Sequence, residues 1–294
     1  MSATCEPRAT NHFGTGPDGG TRRIFSFEFL IGTASWFEPD THRLFQTRDR
    51  CVRRTSETII IAATHVVRNR GATMKIVGIN GSPRRKKSQT RKLVDAVLDG
   101  ASQRGAETEL VDIAALDIRY CIGCWVCYGE GECVHADDLS DLWEKMTCAD
   151  GIVLGSPVYF NAISAQLKTM IDRLANAVHC QMLAGKYGCA VTTAGGLGSI
   201  SEVLGYINYF LNAMGALTVG GVGATVGTNA APDSAIVEAR NLGETLAEAI
   251  QTKRHYADQE NAIAERGKFF RQLIKANKED WRYQYEFWMQ KGWT

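Results

Sequence analysis

The chain has 294 residues, room for one large domain or two small ones and enough to bury a substantial core. With 45% hydrophobic and 22% charged residues, and 33 Lys+Arg against 32 Asp+Glu, it has the make-up of a globular protein with a net charge of +1. That balance gives no support to a nucleic-acid or polybasic membrane partner, and no stretch reaches the roughly 18–20 uninterrupted apolar residues of a spanning helix. Nine cysteines are present, four of them crowded between Cys121 and Cys133. A disulfide scaffold would spread its cysteines through a shorter chain, so the pattern points to reduced thiols serving a metal.

Residues 1–73 hold ten Arg and no Lys, whereas residues 74–294 hold eleven Arg and twelve Lys. The segment also opens on a Gly/Thr/Asn-rich stretch from Thr10 to Thr21 and shows no sustained periodicity. We therefore expect 1–73 to be a poorly ordered extension outside the functional fold, or the product of a misassigned translation start. Thr21-Arg22-Arg23-Ile24-Phe25 is similar to a twin-arginine export signal, but Glu28 interrupts the apolar run to Phe37 and no small-residue cleavage site follows. A cytoplasmic location is expected.

From Met74 onward the pattern alternates. Lys75–Ile79 predicts a strand, Ser88–Arg104 a helix with Leu93, Val94, Val97 and Leu98 on one face, and Glu107–Ile113 a second strand leading into the cysteine-rich loop. Asp138–Cys148 predicts a helix, Gly151–Ser156 an apolar strand, Ile163–Ala177 a helix and Tyr187–Thr193 a strand. A long helix over 199–214, a strand over Leu217–Val226 and a helix opened by Pro232 and running to Lys253 complete the series. Five strands alternating with five helices predict an α/β fold with a parallel sheet covered on both faces. The 254–294 tail reads as a charged helix followed by Trp281, Tyr283, Tyr285, Phe287, Trp288 and Trp293. Such a run packs on the parent domain, across a homo-oligomer interface or around a ligand.

Directly after the first strand stands Gly81-Ser82-Pro83-Arg84-Arg85-Lys86-Lys87-Ser88-Gln89-Thr90. Amides at a helix N-terminus, three hydroxyls and positive charge suit a phosphate monoester, though the same residues serve an ordinary strand–helix turn capped by Ser88. The loop has neither the nucleotide-hydrolase nor the dinucleotide glycine pattern. Pro157-Val158-Tyr159-Phe160-Asn161 follows the third strand and Thr192-Thr193-Ala194-Gly195-Gly196 the fourth. Ligands of open parallel sheets bind beyond the carboxyl ends of the strands, so these loops offer a phosphate cradle, aromatic rings and open backbone to a flat ring with a phosphate tail. Tyr159 and Phe160 would otherwise be core aromatics.

Gly81-Ser82-Pro83-Arg84 with Ser88-Gln89-Thr90, and Ser156-Pro157-Val158-Tyr159-Phe160, resemble the NADPH-dependent FMN reductase branch of flavodoxin-like proteins over about residues 74–253. The resemblance implies a flavodoxin-like doubly wound five-stranded parallel sheet, with FMN as cofactor. Its phosphate would lie on the loop of Ser82, Arg84, Ser88, Gln89 and Thr90. The isoalloxazine would lie against Pro157, Val158, Tyr159, Phe160 and Asn161 and against Thr193, Gly195 and Gly196.

Cys121, Cys124, Cys127 and Cys133 stand at spacings of two, two and five intervening residues. Such a row can wrap one polynuclear iron–sulfur core; zinc, which favours separated pairs, and plain redox-active thiols are the other readings. The spacing resembles the compact motif of the iron–sulfur flavoproteins, which implies a 4Fe–4S cluster beside FMN and a homo-oligomer bringing a cluster to a neighbour's flavin. His135 reads as a solvated loop residue, and Cys148 and Cys189 as buried thiols. Together these imply an electron-transfer oxidoreductase working between ferredoxin or NAD(P)H and an acceptor. The rivals are a cluster-free NAD(P)H-dependent reductase of flavins, quinones or nitro compounds, and a non-catalytic zinc or thiol sensor.

Overall fold

The computed structural model describes residues 73–196, 199–226 and 231–292. The extension over 1–73, apart from Thr73, lies outside the described residues, as does Trp293 of the tail. Five strands, β1 (Lys75–Asn80), β2 (Glu107–Asp112), β3 (Gly151–Pro157), β4 (Tyr187–Ala194) and β5 (Leu217–Thr225), form one sheet in the order β2-β1-β3-β4-β5. Every pairing is parallel. The order reverses between β1 and β3, so the loops leaving those two strands diverge and open a crevice at the sheet's carboxyl edge. The parallel sheet expected from the alternation, in the doubly wound flavodoxin-like form that the resemblance implied, is what the chain forms.

Strand periodicity divides the core. Val77, Ile79, Ile152, Leu154 and Ala190 face α3 (Leu139–Cys148), α4 (Ala165–Arg173) and α6 (Ile200–Ala213), whose Leu142, Met146, Leu167, Met170, Ile207 and Leu211 are buried against them. Ile76, Val153, Cys189 and Val191 face the other way, onto α1 (Gln89–Gln103) and α7 (Asp233–Thr252). A helix expected over 163–177 is two: α4, capped by the Ser164 hydroxyl, and the short α5 (Ala175–His179). At the break Leu174 N donates to Ile171 O, a tightened turn that sends Leu174 into the core and redirects the chain.

The cysteine-rich loop follows β2 and holds an unexpected helical turn, α2 (Val126–Glu130). The tail forms α8 (Ala257–Ala276) and α9 (Arg282–Gln290). Its aromatics pack on their own chain: Phe270, Ile274 and Trp288 build a third cluster around Cys180, with Trp281, Tyr285 and Phe287 at its margin.

Helices α1 and α7 touch backbone to backbone. A Cβ on Gly100 would lie 2.0 Å from the Arg240 carbonyl oxygen, and one on Gly243 1.9 Å from that of Val97. Neither carbonyl can retreat without unmaking its helix. We expect Gly100→Ala and Gly243→Ala each to destabilise the fold by roughly 1–3 kcal/mol in denaturant unfolding, the ordinary cost of overpacking. Gly205→Ala on the exposed face of α6, where nothing lies within 4 Å, should instead gain about 0.5–1 kcal/mol from helix propensity.

Candidate functional site

Four connections meet at the carboxyl edge of the sheet. The first, after β1, is anchored from below. Asn80 is buried and accepts from Ser82 N at 3.2 Å while its amide donates to Asp112 at 2.7 Å; the Ser82 hydroxyl in turn accepts from Arg84 N. Ser88 caps α1 by accepting from Arg91 N at 3.1 Å, which leaves the Gln89 and Thr90 amides of the first turn to be met from outside the helix. Arg91 is neutralised by Asp112, and Arg85, at φ 47°, ties the loop to the Ala114 carbonyl. Arg84, Lys86 and Lys87 remain exposed around buried Ser82, Ser88 and Thr90.

Hydroxyls knit this loop to the next two. Thr90 Oγ1 and Thr193 Oγ1 share a 2.6 Å hydrogen bond, and Ser164 Oγ donates to the Gly81 carbonyl at 2.6 Å. The Ser156 hydroxyl accepts from Ser164 N at 2.9 Å, and Thr192 Oγ1 donates to the Ser156 carbonyl at 2.7 Å. After β3, Tyr159 and Ala162 exchange both backbone bonds around Phe160 (φ 49°) and Asn161 (φ 59°). Left-handed backbone at both central positions makes this a tight primed turn. It holds Tyr159 and Phe160 out in solvent, so they are not core aromatics. After β4, Gly195 and Gly196 are exposed, with no atom near a would-be Cβ. Gln89 lies at the rim, accepting from Ala231 N.

The cysteine loop stands on the same edge. Gly123 (φ 66°) and Trp125 (φ 61°) reverse the backbone between Cys121 and Cys127, and a left-handed tryptophan is strained backbone of the kind that collects at functional sites. Cys121, Cys124 and Cys133 are exposed, and Cys127 is half-buried on α2. Burial, with the nearby Cys133, Cys124 and Cys121 thiols adding to it, pushes Cys127 up to about 11. The four thiols therefore share one neighbourhood, although among the described residues no three metal-ligating side chains stand at binding distance. Tyr120, Ile122, Trp125, Val126 and Val134 are exposed around them.

Beneath the row lies a buried ion pair that sequence reading missed. Arg173 Nη1 donates to Asp137 Oδ2 at 2.7 Å and Nη2 to Oδ1 at 3.2 Å, with each side chain 1% exposed. Nη1 also donates to the Arg119 carbonyl, and Asp137 accepts from Arg119 N and Leu139 N. Burial works against the Asp137 charge, but Arg173 and those amides outweigh it and hold the carboxyl below its ordinary range. Burial likewise opposes the Arg173 charge, and Asp137 and the nearby Cys133 overcome it. Three buried side-chain atoms among the described residues lack a well-formed hydrogen bond, among them His135 Nε2, two residues along the chain from Cys133, and Arg173 Nε, whose guanidinium interacts with the Cys133 thiol. His135 is thus not simply solvated. A buried guanidinium against Cys133, in a neighbourhood of four thiols, fits a sulfur-rich anionic group such as an iron–sulfur cluster.

The C-terminal helices buttress the far side. Gln284 is fully buried, its amide donating to Asn176 Oδ1 at 2.9 Å and its oxygen accepting from His179 Nδ1 at 3.3 Å; Asn176 donates to the Gly131 carbonyl. Burial, partly offset by Gln284, lowers the His179 pKa. Its ring lies 4.8 Å from Tyr128, 4.9 Å from Phe270 and 5.6 Å from Trp281. Cys148, expected buried, is exposed at the end of α3, because α3 turns that face away from the sheet; Cys189 is buried as expected. A cleft of about 450 Å³ bordered by Lys75, Glu107, Glu144 and Lys145 opens at the opposite edge of the sheet, away from all these loops.

A flavodoxin-like sheet with a hydroxyl-lined helix N-terminus at its switch point and a cysteine row beside it defines a class of flavin-associated redox folds. Residues 74–230 match the NADPH-dependent FMN reductase family. An iron–sulfur flavoprotein of Archaeoglobus fulgidus is 39% identical over 220 residues, 74% of this chain and 99% of that one. Another, from Methanocaldococcus jannaschii, is 37% identical over 190 residues, 60% of this chain and 98% of that one. Among solved structures, RosB with a bound formylriboflavin phosphate intermediate shares the fold at a TM-score of 0.50 and 20% identity, covering 66% of this chain and 86% of its own. The chain belongs to the NADPH-dependent FMN reductase family, among its iron–sulfur flavoproteins, and is an FMN-dependent oxidoreductase. Among the described residues no helix is long and apolar enough to cross a membrane.

Because its folded pKa is depressed, Asp137 contributes stability above its unfolded value of about 3.9 and loses it as pH falls through the lower folded value. Asp137→Asn should therefore cost roughly 3–5 kcal/mol at neutral pH by stranding the guanidinium, and should flatten the acid limb of a stability–pH curve measured by denaturant unfolding.

Proposed function

We propose that the chain carries electrons between a donor, ferredoxin or NAD(P)H, and an acceptor by way of FMN and a 4Fe–4S cluster. The observation that carries this reading is the placing of the cysteine row, with the buried Arg173 guanidinium against Cys133, on the same sheet edge as the hydroxyl-lined helix N-terminus. The names of the relatives, iron–sulfur flavoproteins, support it. When bound, FMN exchanges electrons singly or in pairs and an iron–sulfur cluster one at a time, so together they join one-electron to two-electron partners.

The residues divide that task. The Gln89 and Thr90 amides and the Ser82, Ser88 and Thr90 hydroxyls offer donors to a phosphate, and Arg84 supplies charge at the rim. Pro157, Val158 and Asn161 frame the loop that offers the Tyr159 and Phe160 rings to a flat heterocycle. Thr193, Gly195 and Gly196 let its edge approach backbone. Cys121, Cys124, Cys127 and Cys133 hold the iron, and the Arg173–Asp137 pair fixes the base of their loop.

Metal and flavin content of the anaerobically purified chain tests this reading. We expect about four irons and one FMN per chain, with iron lost in Cys124→Ser and flavin retained. Thr90→Val should weaken FMN binding about ten-fold, the worth of one hydrogen bond to a charged group, without changing iron content. FMN without iron after reconstitution would make the protein a cluster-free flavin reductase. Zinc, or neither cofactor, would make it a thiol or zinc sensor.

A further inference from the structure

Arg173 is a singular side chain. Its guanidinium is 1% exposed, so water does not satisfy it, and its two terminal nitrogens are spent on Asp137 and the Arg119 carbonyl. Nε remains, buried and without a well-formed hydrogen bond, while the guanidinium as a whole interacts with the Cys133 thiol. Besides Asp137, the group that bears on this guanidinium is the Cys133 thiol, which belongs to the cysteine row. The fork of Arg suits this geometry as a lysine would not: a bidentate carboxylate fixes the plane of the guanidinium and so fixes where Nε–H points. Asp137 is itself immobilised by the Arg119 and Leu139 amides, so the whole unit is held from both ends of the cysteine loop.

We propose that Arg173 is a positioning residue for the four-cysteine centre: Asp137 locks its guanidinium beside Cys133, where its spare N–H and its positive charge meet the anionic iron–sulfur group the cysteines hold. This rests on the cluster reading above. Four thiolates around an iron–sulfur core carry net negative charge, and the reduction potential of such a centre follows its net charge and the hydrogen bonds to its sulfurs. A fixed cation there raises the potential and slows loss of iron, and it does both without touching FMN.

The test uses the full-length chain, reconstituted anaerobically with iron and sulfide, as wild type, Arg173→Met, Arg173→Lys and the double variant Arg173→Met/Asp137→Leu. The double variant guards against misfolding, because replacing both members of a buried pair by apolar residues leaves no stranded charge and is often neutral for stability. Thermal unfolding confirms folding; a redox titration followed by electron paramagnetic resonance gives the cluster potential, and release to a chelator gives iron retention. We expect Arg173→Met to make reduction of the cluster about ten-fold less favourable, a fall of about 59 mV for one electron, and to release iron several-fold faster. Arg173→Lys, which keeps the charge but not the fixed N–H, should recover only part of the potential, and the double variant should fold and shift in the direction of Arg173→Met. A folded Arg173→Met or double variant with wild-type potential and iron release overturns the proposal while leaving the cluster in place. Wild-type chain that takes up no iron overturns the cluster reading and this proposal with it.

Discussion

The buried pairing of Arg173 with Asp137 is the joint from which the cysteine loop hangs. The connection from β2 to α3 runs from residue 113 to 138, and loops of that length rarely hold one shape unless something inside them is tied. Here the two limbs are closed at the base: Asp117 N donates to the Asp138 carboxylate at 2.8 Å, Asp138 N returns to the Asp117 carbonyl, and Asp137 takes the Arg119 amide. Arg173 then bolts that closed base to the end of α4, which is itself fixed by the Ser164 cap and by Leu167 and Met170 in the core. On the outer side α9 supports α2, where Gly131 (φ 82°) lies so close to the Tyr283 ring that a Cβ would come within 2.5 Å of it. The loop is thereby held from beneath and behind, while Cys121, Cys124 and Cys133 face outward.

A comparable logic governs the flavin side of the sheet edge. Parallel strands leave their last carbonyls and amides to be satisfied by whatever follows, and three of the connecting loops satisfy one another. Ser164 reaches the Gly81 carbonyl, Ser156 and Thr192 bond across β3 and β4, and Thr90 meets Thr193. Each of these hydroxyls is buried, and leaving any one unmet would cost about 1–3 kcal/mol. The network makes a stiff polar floor, above which the exposed turn at Phe160 and the glycines at 195 and 196 stay open to a ligand.

Much of this was legible before any coordinates. Alternation of apolar strands with helix-periodic segments gave the sheet and most element boundaries to within a residue or two, because strand and helix burial leave distinct periods. The phosphate-type loop announced itself through hydroxyls and glycine at a strand–helix junction. What escaped were pairings between residues far apart in sequence. Nothing local marks Arg173 as the partner of Asp137, 36 residues away in the chain, and Gln284 looks like any polar residue among aromatics until Asn176 and His179 surround it. Cys148 misled because its neighbours are apolar, yet α3 buries Leu142 and Met146 and turns Cys148 outward. His135 misled in the opposite sense, its ring nitrogen covered by a loop fold that spacing cannot foretell.

Stability alone does not account for a buried charged pair at this place. Removing two ions from water costs several kcal/mol each, and a pair of well-packed apolar side chains commonly does as well or better. The Nε–H of Arg173 adds a further penalty, because it is desolvated and lacks a well-formed hydrogen bond within the chain itself. A purely structural joint between α4 and the loop base could be made from Leu and Met, as the neighbouring joint between α3 and the sheet is made from Leu142 and Met146. What the charged pair supplies that an apolar one cannot is direction and sign: a cation whose plane is fixed by its carboxylate, set under a row of thiols that each become anionic when they bind a metal. The buttress of α8 and α9, by contrast, meets the same loop through aromatic rings, Trp281 against Tyr128 and Tyr283 against Gly131. The buried cation lies on the side of α4, and it is there that the chain departs most plainly from what folding requires.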